Sequence, residues 1–176
     1  MLRERNLPVI VGATAPPFAL PNAYTGETVR LADYAKRPLV LVFFRGTWCP
    51  YCRAQMRFLQ NGYSDLQKAG IGLVGIVCQN RSSVKRYLQT NPLPFPLLVD
   101  GRRDIARLYG TYYRFGPEGF HLSHPAVFIV GEDGCVSFAH VGRNMRDLPV
   151  ERVLERFVSF LKESAPMPIE VEPLSS

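Results

Sequence analysis

"FFRGTWCPYCRAQM", Phe43–Met56, sets two of the chain's four cysteines three residues apart. An unbroken apolar run, "PLVLVFF" (Pro38–Phe44), precedes them and a helical pattern follows. The run is rich in β-branched and aromatic residues, as suits a strand buried on both faces of a parallel sheet. From Cys52 onward, Met56, Leu59, Tyr63 and Leu66 recur at helical spacing until Gly70 stops them. The cysteines therefore fall where a strand ends and a helix begins. Unpaired N–H groups and the positive end of the helix dipole favour an anion there. Thiolate is the reactive form of cysteine, and such a position lowers a cysteine pKa from about 8.5 to roughly 3.5–7.5. Cys49, at the N-cap or in the first turn, is expected to be the exposed, low-pKa thiol. Pro50 follows, where a missing N–H costs nothing. Cys52 shares the buried helical face with Met56 and Leu59. The two sulfurs are thus unequal, Cys49 attacking and Cys52 resolving, with Arg45 and Arg53 adding positive charge nearby.

The same alternation extends in both directions. "IGLVGIV" (Ile71–Val77) and "AVFIV" (Ala126–Val130) read as further buried strands, and "CVSFAHV" (Cys135–Val141) alternates as a half-exposed antiparallel strand does. The turn "GEDG" (Gly131–Gly134) joins the last two as a hairpin. Ser82 or Ser83 can cap a helix running to Leu88. Ile105, Leu108 and Tyr109 mark a short helix closed by Gly110. Asp147 can cap a last helix with Val150, Val153, Leu154, Phe157 and Leu161 on one face. "PFAL" and "ETVRL" flank a turn signal at Gly26 and predict an N-terminal hairpin. Strand–helix–strand followed by a hairpin and a covering helix is an α/β sandwich with a mixed sheet. A single domain is expected over 1–162, with the Pro-rich segment 163–176 as a loose or surface-draped tail.

Composition excludes several classes. A chain of 176 residues with 47% apolar and 20% charged residues fits one globular domain with a substantial core. Four cysteines are too few for a disulfide scaffold, so a reducing, cytoplasmic setting is expected, where paired cysteines are catalytic or metal-binding. The net charge of +6 comes with scattered arginines and no basic run, which gives no nucleic-acid groove. The N-terminus makes a poor signal peptide, and no segment is long enough to span a membrane. Cys78 and Cys135 lie singly in strand patterns, as core residues do. His121 and His124 in "HLSH" could complete a Cys2His2 metal set with Cys49 and Cys52, and metal binding or delivery stays open on that ground.

"FRGTWCPYC" resembles the active site of the thioredoxin superfamily. "VGATAPPFALPNAYTGETVRLADY", "LPFPLLVDGRRDIARLYGTY" and "HPAVFIVGEDG" resemble successive segments of its peroxiredoxin-like branch, the alkyl hydroperoxide reductase/thiol-specific antioxidant proteins. The resemblance covers roughly residues 9 to 160. It implies a thioredoxin-like fold, a mixed central sheet flanked by helices with an N-terminal hairpin extension. In thioredoxin-like proteins the proline before the later strand is cis and faces the dithiol, leaving the preceding backbone free to pair with a bound substrate. The matching residue is Pro125, preceded by His124.

The chain also departs from both patterns. Peroxiredoxins carry Pro-x-x-x-Thr-x-x-Cys at the peroxide site. With Cys52 as the last residue of that motif, Cys49 holds the Thr position and Arg45 the Pro position. Pro125 stands where peroxiredoxins place an arginine. Phe43 replaces the buried carboxylate that thioredoxins carry six residues before the first cysteine. Proton movement at Cys52 then falls to water or to His124, unless His124 is only a loop histidine. The resemblance and the residues together imply a thiol–disulfide oxidoreductase. Trp48, Tyr51, His124 and Pro125 would receive the substrate, and Thr47, Pro50 and Arg45 would support the site. The expected partners are a protein or small-molecule disulfide, or a hydroperoxide, and an electron donor such as thioredoxin or glutathione. No metal or organic cofactor is needed, no nucleic acid or membrane partner is implied, and a homodimer is left open. A thiol-dependent peroxidase is the main alternative.

Overall fold

A computed structural model describes residues 9–116, 119–147 and 150–155. The centre is a five-stranded mixed sheet. β3 (Leu39–Phe44) is its middle strand and all six of its residues are buried. β4 (Gly72–Val77) lies parallel to β3 with Leu39 opposite Gly72 and Phe44 opposite Val77, and β5 (Leu97–Val99) continues the parallel side. On the other side β8 (Ala126–Val130) runs antiparallel to β3, and β9 (Val136–Val141) antiparallel to β8, giving the order β5-β4-β3-β8-β9. β1 (Ala19–Pro21) and β2 (Thr28–Arg30) form the expected N-terminal hairpin.

Continuous apolar strands need a cover on each face. Val40, Val42 and Phe44 of β3 pack with Cys52, Met56, Leu59 and Leu66 of α1 (Pro50–Lys68) and Val84 and Leu88 of α2 (Arg81–Thr90). Val150, Val153 and Leu154 of the helical residues 150–155 join them. Leu39, Leu41 and Phe43 point the other way, toward Phe18, Tyr109, and Ile105 and Ala106 of α3 (Asp104–Leu108). Burying one such side chain completely contributes about 1.5–3 kcal/mol, so the middle strand fixes both layers. Gly70 ends α1 as expected: its φ of 73° is the left-handed conformation that glycine adopts without strain, and Ile71 N–H returns to Leu66 O at 2.9 Å.

Three expectations change. The α2 N-cap is Asn80, whose side chain accepts from Ser83 N–H at 2.8 Å, so neither Ser82 nor Ser83 caps the helix. The start of the last helix, which Asp147 is expected to cap, lies outside the described residues; the Asp147 carboxylate meets Arg143 N–H (2.8 Å) and His140 Nε2 (3.1 Å). A hairpin absent from the expected elements appears before β8: β6 (Tyr112–Gly116) and β7 (Gly119–Ser123) pair antiparallel, and β7 contains His121. Cys135 precedes β9, bridged to Thr14 and only partly buried, so it is no core residue. Phe157, Leu161, the 162/163 boundary and the tail lie outside the described residues.

Candidate active site

β3 ends at Phe44, at the C-terminal end of the parallel strands, and the loop Arg45–Trp48 turns the chain into α1. Cys49 is the N-cap, with extended backbone (φ −79°, ψ 122°), and Pro50 is the first helical residue. Cys49 O accepts the first helical bond, from Arg53 N–H at 3.0 Å. Strand end, N-cap and proline stand where the sequence predicts them, and both cysteines are free thiols.

The expected exposure of Cys49 is not found. Its relative accessibility is 1%, the same as that of Cys52. The Cys49 side chain belongs to the apolar cluster that holds Cys52 and Met56. The two thiols are hydrogen-bonded to each other. Burial pushes the Cys52 thiol up to about 12, with the neighbouring Cys49 pushing the same way and backbone hydrogen bonds at Gly46 and Arg45 opposing. Cys52 is therefore held as a neutral thiol at physiological pH.

Arg45 is the surprise of the loop. It is 1% exposed, yet it carries a guanidinium. Its Nη1 donates to Cys49 Sγ at 3.8 Å, and its guanidinium lies 5.1 Å from the Trp48 ring centre. A charged donor on sulfur stabilises negative charge there. Trp48 reaches this position only because residue 46 is glycine: a Cβ on Gly46 would stand 2.7 Å from the indole Cε2.

Thr47 is clamped from two sides. Its N–H donates to Gln79 Oε1 at 2.8 Å, and Gln79 Nε2 donates to Thr47 Oγ1 at 3.1 Å. Arg53 Nε donates to the Thr47 carbonyl while its guanidinium lies over the Tyr87 ring at 5.3 Å. Gln79 follows β4, beside β3, so the parallel pairing brings it to the loop. Nothing local in "VCQN" announces that role.

Trp48 and Tyr51 form the exposed rim, at 46% and 37%. Arg146 Nε donates to Tyr51 Oη at 2.9 Å. Pro125 does not join the rim. It is buried, and its carbonyl accepts from Gly142 N–H at 2.7 Å. No cis peptide occurs among the described residues, so the expected cis bond before Pro125 is trans. Nor is the preceding backbone free, because His124 N–H donates to Thr111 O at 2.8 Å and His124 O accepts from Ser123 Oγ at 2.9 Å. The β6–β7 hairpin supplies Ser123 and takes up the strand-edge group that a substrate would have used. The His124 ring packs on Tyr113 with centroids 4.4 Å apart. His121 Nδ1 meets Tyr112 Oη at 2.7 Å on the hairpin. Among the described residues no group of three His, Cys, Asp or Glu side chains converges, so the Cys2His2 metal set is not assembled. Phe43, at the position of the missing carboxylate, stacks on Tyr109 and Phe128 at 5.3 and 5.7 Å, an apolar environment.

Comparison with known proteins agrees with this architecture. The AhpC/TSA family pattern matches residues 11–139. A Mycobacterium tuberculosis (strain ATCC 25618 / H37Rv) protein that carries a peroxiredoxin name is 32% identical over 152 residues, covering 79% of this chain and 94% of that one. Thiol-disulfide oxidoreductase ResA of Geobacillus thermodenitrificans is 30% identical over 129 residues, covering 73% of this chain and 67% of its own. The crystal structure of a peroxiredoxin-like protein from Aquifex aeolicus superposes with a TM-score of 0.77 at 16% identity, covering 88% of this chain and 89% of that one.

Proposed function

The chain belongs to the AhpC/TSA family of peroxiredoxin-like, thioredoxin-superfamily oxidoreductases, and within it we propose a thiol–disulfide oxidoreductase that works through the Cys49–Cys52 dithiol. The observation that carries this reading is the inequality of the two sulfurs. Cys49 receives a guanidinium at the head of α1, whereas burial keeps Cys52 protonated. Cys49 thiolate attacks one sulfur of a substrate disulfide, whose S–S bond breaks as the Cys49–substrate bond forms. The departing sulfur leaves as a thiolate and takes a proton from solvent. Cys52 then gives up its proton and attacks the Cys49 sulfur, closing the Cys49–Cys52 bridge and releasing the second substrate thiol. Two electrons and two protons pass to the substrate. An external dithiol or thiol donor of the thioredoxin or glutathione class reverses the exchange and resets the site. The Arg45–Thr47 loop holds Cys49 in place, and Trp48 and Tyr51 meet the substrate. Four free thiols fit a reducing cytoplasm.

A hydroperoxide is the second substrate class, favoured by the burial of Cys49, which a small molecule reaches more easily than a folded protein does. Stopped-flow oxidation of the reduced protein by insulin and by hydrogen peroxide separates the two, in parent, Cys49→Ser and Cys52→Ser forms. Fast exchange with insulin that requires Cys49, with slow peroxide consumption, is the expected result. Peroxide oxidation at a peroxiredoxin-like rate that survives Cys49→Ser but not Cys52→Ser would reject the dithiol reading.

A further inference from the structure

Both sulfurs are buried, and the exposed aromatic side chains that flank them in the chain are Trp48 and Tyr51, the surface a substrate disulfide would meet first in this reading. That surface is flanked by exposed arginines. Arg146 stands over Tyr51, its guanidinium 5.4 Å from the ring centre, and Arg143 is exposed in the same loop. Arg53 and Arg57 are exposed one turn apart on α1. Residues two apart on a helix project about 200° from each other, so Tyr51 with Arg146 lies on one side of the helix head and Arg53 on the other. Tyr87 ties the second pair to the site: burial raises its phenol, and Arg53, Arg57 and Cys52 all lie near enough to act on it.

Acidic side chains are sparse in the segments that carry these arginines: 45–60, 79–91 and 142–147 contain one, Asp147, and the next along the chain are the exposed Glu151 and Glu155 of the helical residues 150–155. The two carboxylate oxygens of Asp147 are engaged by Arg143 N–H and His140. By contrast Glu132 and Asp133 are exposed in the β8–β9 turn, at the opposite end of the sheet. The site end of the molecule is thus cationic around two exposed aromatics, and Trp, Tyr and Arg are the residues that dominate protein–protein hot spots.

We infer that this rim docks a polypeptide disulfide flanked by acidic side chains. The inference rests on the dithiol reading and names its partner class. The apolar centre of the peptide covers Trp48 and Tyr51, and its carboxylates on either side meet Arg143 and Arg146, and Arg53 and Arg57. The spread of these arginines over both sides of the helix head favours a chain segment over a small anion. The redox step is the exchange already described, with two electrons passing from the dithiol to the peptide.

The test uses three cyclic disulfide peptides of one sequence whose flanking positions are Glu, Gln or Lys. Each oxidises the reduced full chain in a stopped-flow instrument, read by emission of the single tryptophan, Trp48. At about 20 mM ionic strength the Glu peptide should react about tenfold or more faster than the Lys peptide. The ratio should fall below about threefold at roughly 0.5 M, where screening acts within several ångströms. In Arg143→Glu, Arg146→Glu protein the preference should shrink or invert, a ratio that does not depend on the variant's absolute rate. Equal rates for the three peptides, or a preference for Lys, would overturn the docking surface and leave the dithiol reading standing. Dithiodiglycolate, a small disulfide with two carboxylates, should gain little over neutral 2-hydroxyethyl disulfide. A gain as large as the peptides' would reassign the rim to small anions and overturn the inference. Failure of every disulfide to oxidise the protein would remove the dithiol reading itself, and the inference with it.

Discussion

Arg45→Met tests the electrostatics of the site most directly. Methionine keeps an unbranched apolar stem in the buried space and removes the guanidinium that donates to Cys49 Sγ at 3.8 Å. A hydrogen bond to a charged group contributes about 1.5–3 kcal/mol, and 3.8 Å is at the long end for sulfur, so about 1.5–2 kcal/mol is expected here. With tenfold per about 1.4 kcal/mol, losing that contact removes roughly 10- to 30-fold of the stabilisation that negative charge on the sulfur receives. A less stabilised sulfur is also a better nucleophile, with a Brønsted coefficient of about 0.4–0.5, which returns nearly half of that exponent. The net slowing at neutral pH is therefore about 3- to 6-fold. The assay is iodoacetamide modification of the reduced proteins at neutral pH, with Cys49 followed by peptide mass spectrometry and helical content checked by circular dichroism. Equal rates in parent and variant, with the fold intact, would show that Arg45 does not act on the Cys49 sulfur.

Four other outcomes follow from the geometry. Gln79→Leu strips Thr47 N–H of its partner, a loss of about 1–3 kcal/mol, and should slow disulfide exchange several-fold; Gln79→Glu keeps an acceptor for that N–H and should recover most of the rate, whereas equal rates in both variants would deny the clamp a positioning role. Gly46→Ala should push the indole off its seat and shift the emission of the lone tryptophan, and an unchanged spectrum would contradict the tight approach at Gly46. Burial first, and Asp100 second, push the Cys78 thiol up to about 12. The folded state therefore holds a proton that the unfolded chain loses near pH 8.5–9. That contribution is complete below about pH 9 and fades at about 1.4 kcal/mol per unit as pH rises toward 12. Urea unfolding of parent and Cys78→Ala should show a stability gap that narrows between about pH 8 and 10.5, and a constant gap would count against the buried neutral thiol. The same variant, combined with Cys135→Ala, should keep disulfide exchange within a few-fold of the parent.

What was legible in the sequence is what local chemistry dictates. The apolar run at Pro38–Phe44, the Cys-Pro pair at the helix start and Gly70 at its end each carry their own signal, and β3, the N-cap at Cys49 and the α1 terminus stand where those signals put them. Non-local pairing was not legible. Gln79 reaches Thr47 only because β4 lies beside β3. The hairpin of β6 and β7 alternates only weakly, so its strands carry little periodic signal. The burial of Cys49 depends on what packs around the helix head, which residue spacing does not encode.

The hairpin and the burial of Cys49 bear on one chemical question. In the expected picture an exposed Cys49 would meet its substrate beside free backbone at His124. Instead the sulfur is covered, and Thr111 and Ser123 have already taken the His124 backbone groups. Under the proposed docking, main-chain pairing with a substrate would give way as a source of affinity to side chains at the helix head: two exposed aromatics and the arginines beside them. Charge complementarity of that kind speeds encounter more than it strengthens binding. A redox protein that must release its partner after each two-electron exchange gains from that division. The proposed rim accordingly predicts rates that depend on salt more steeply than affinities do.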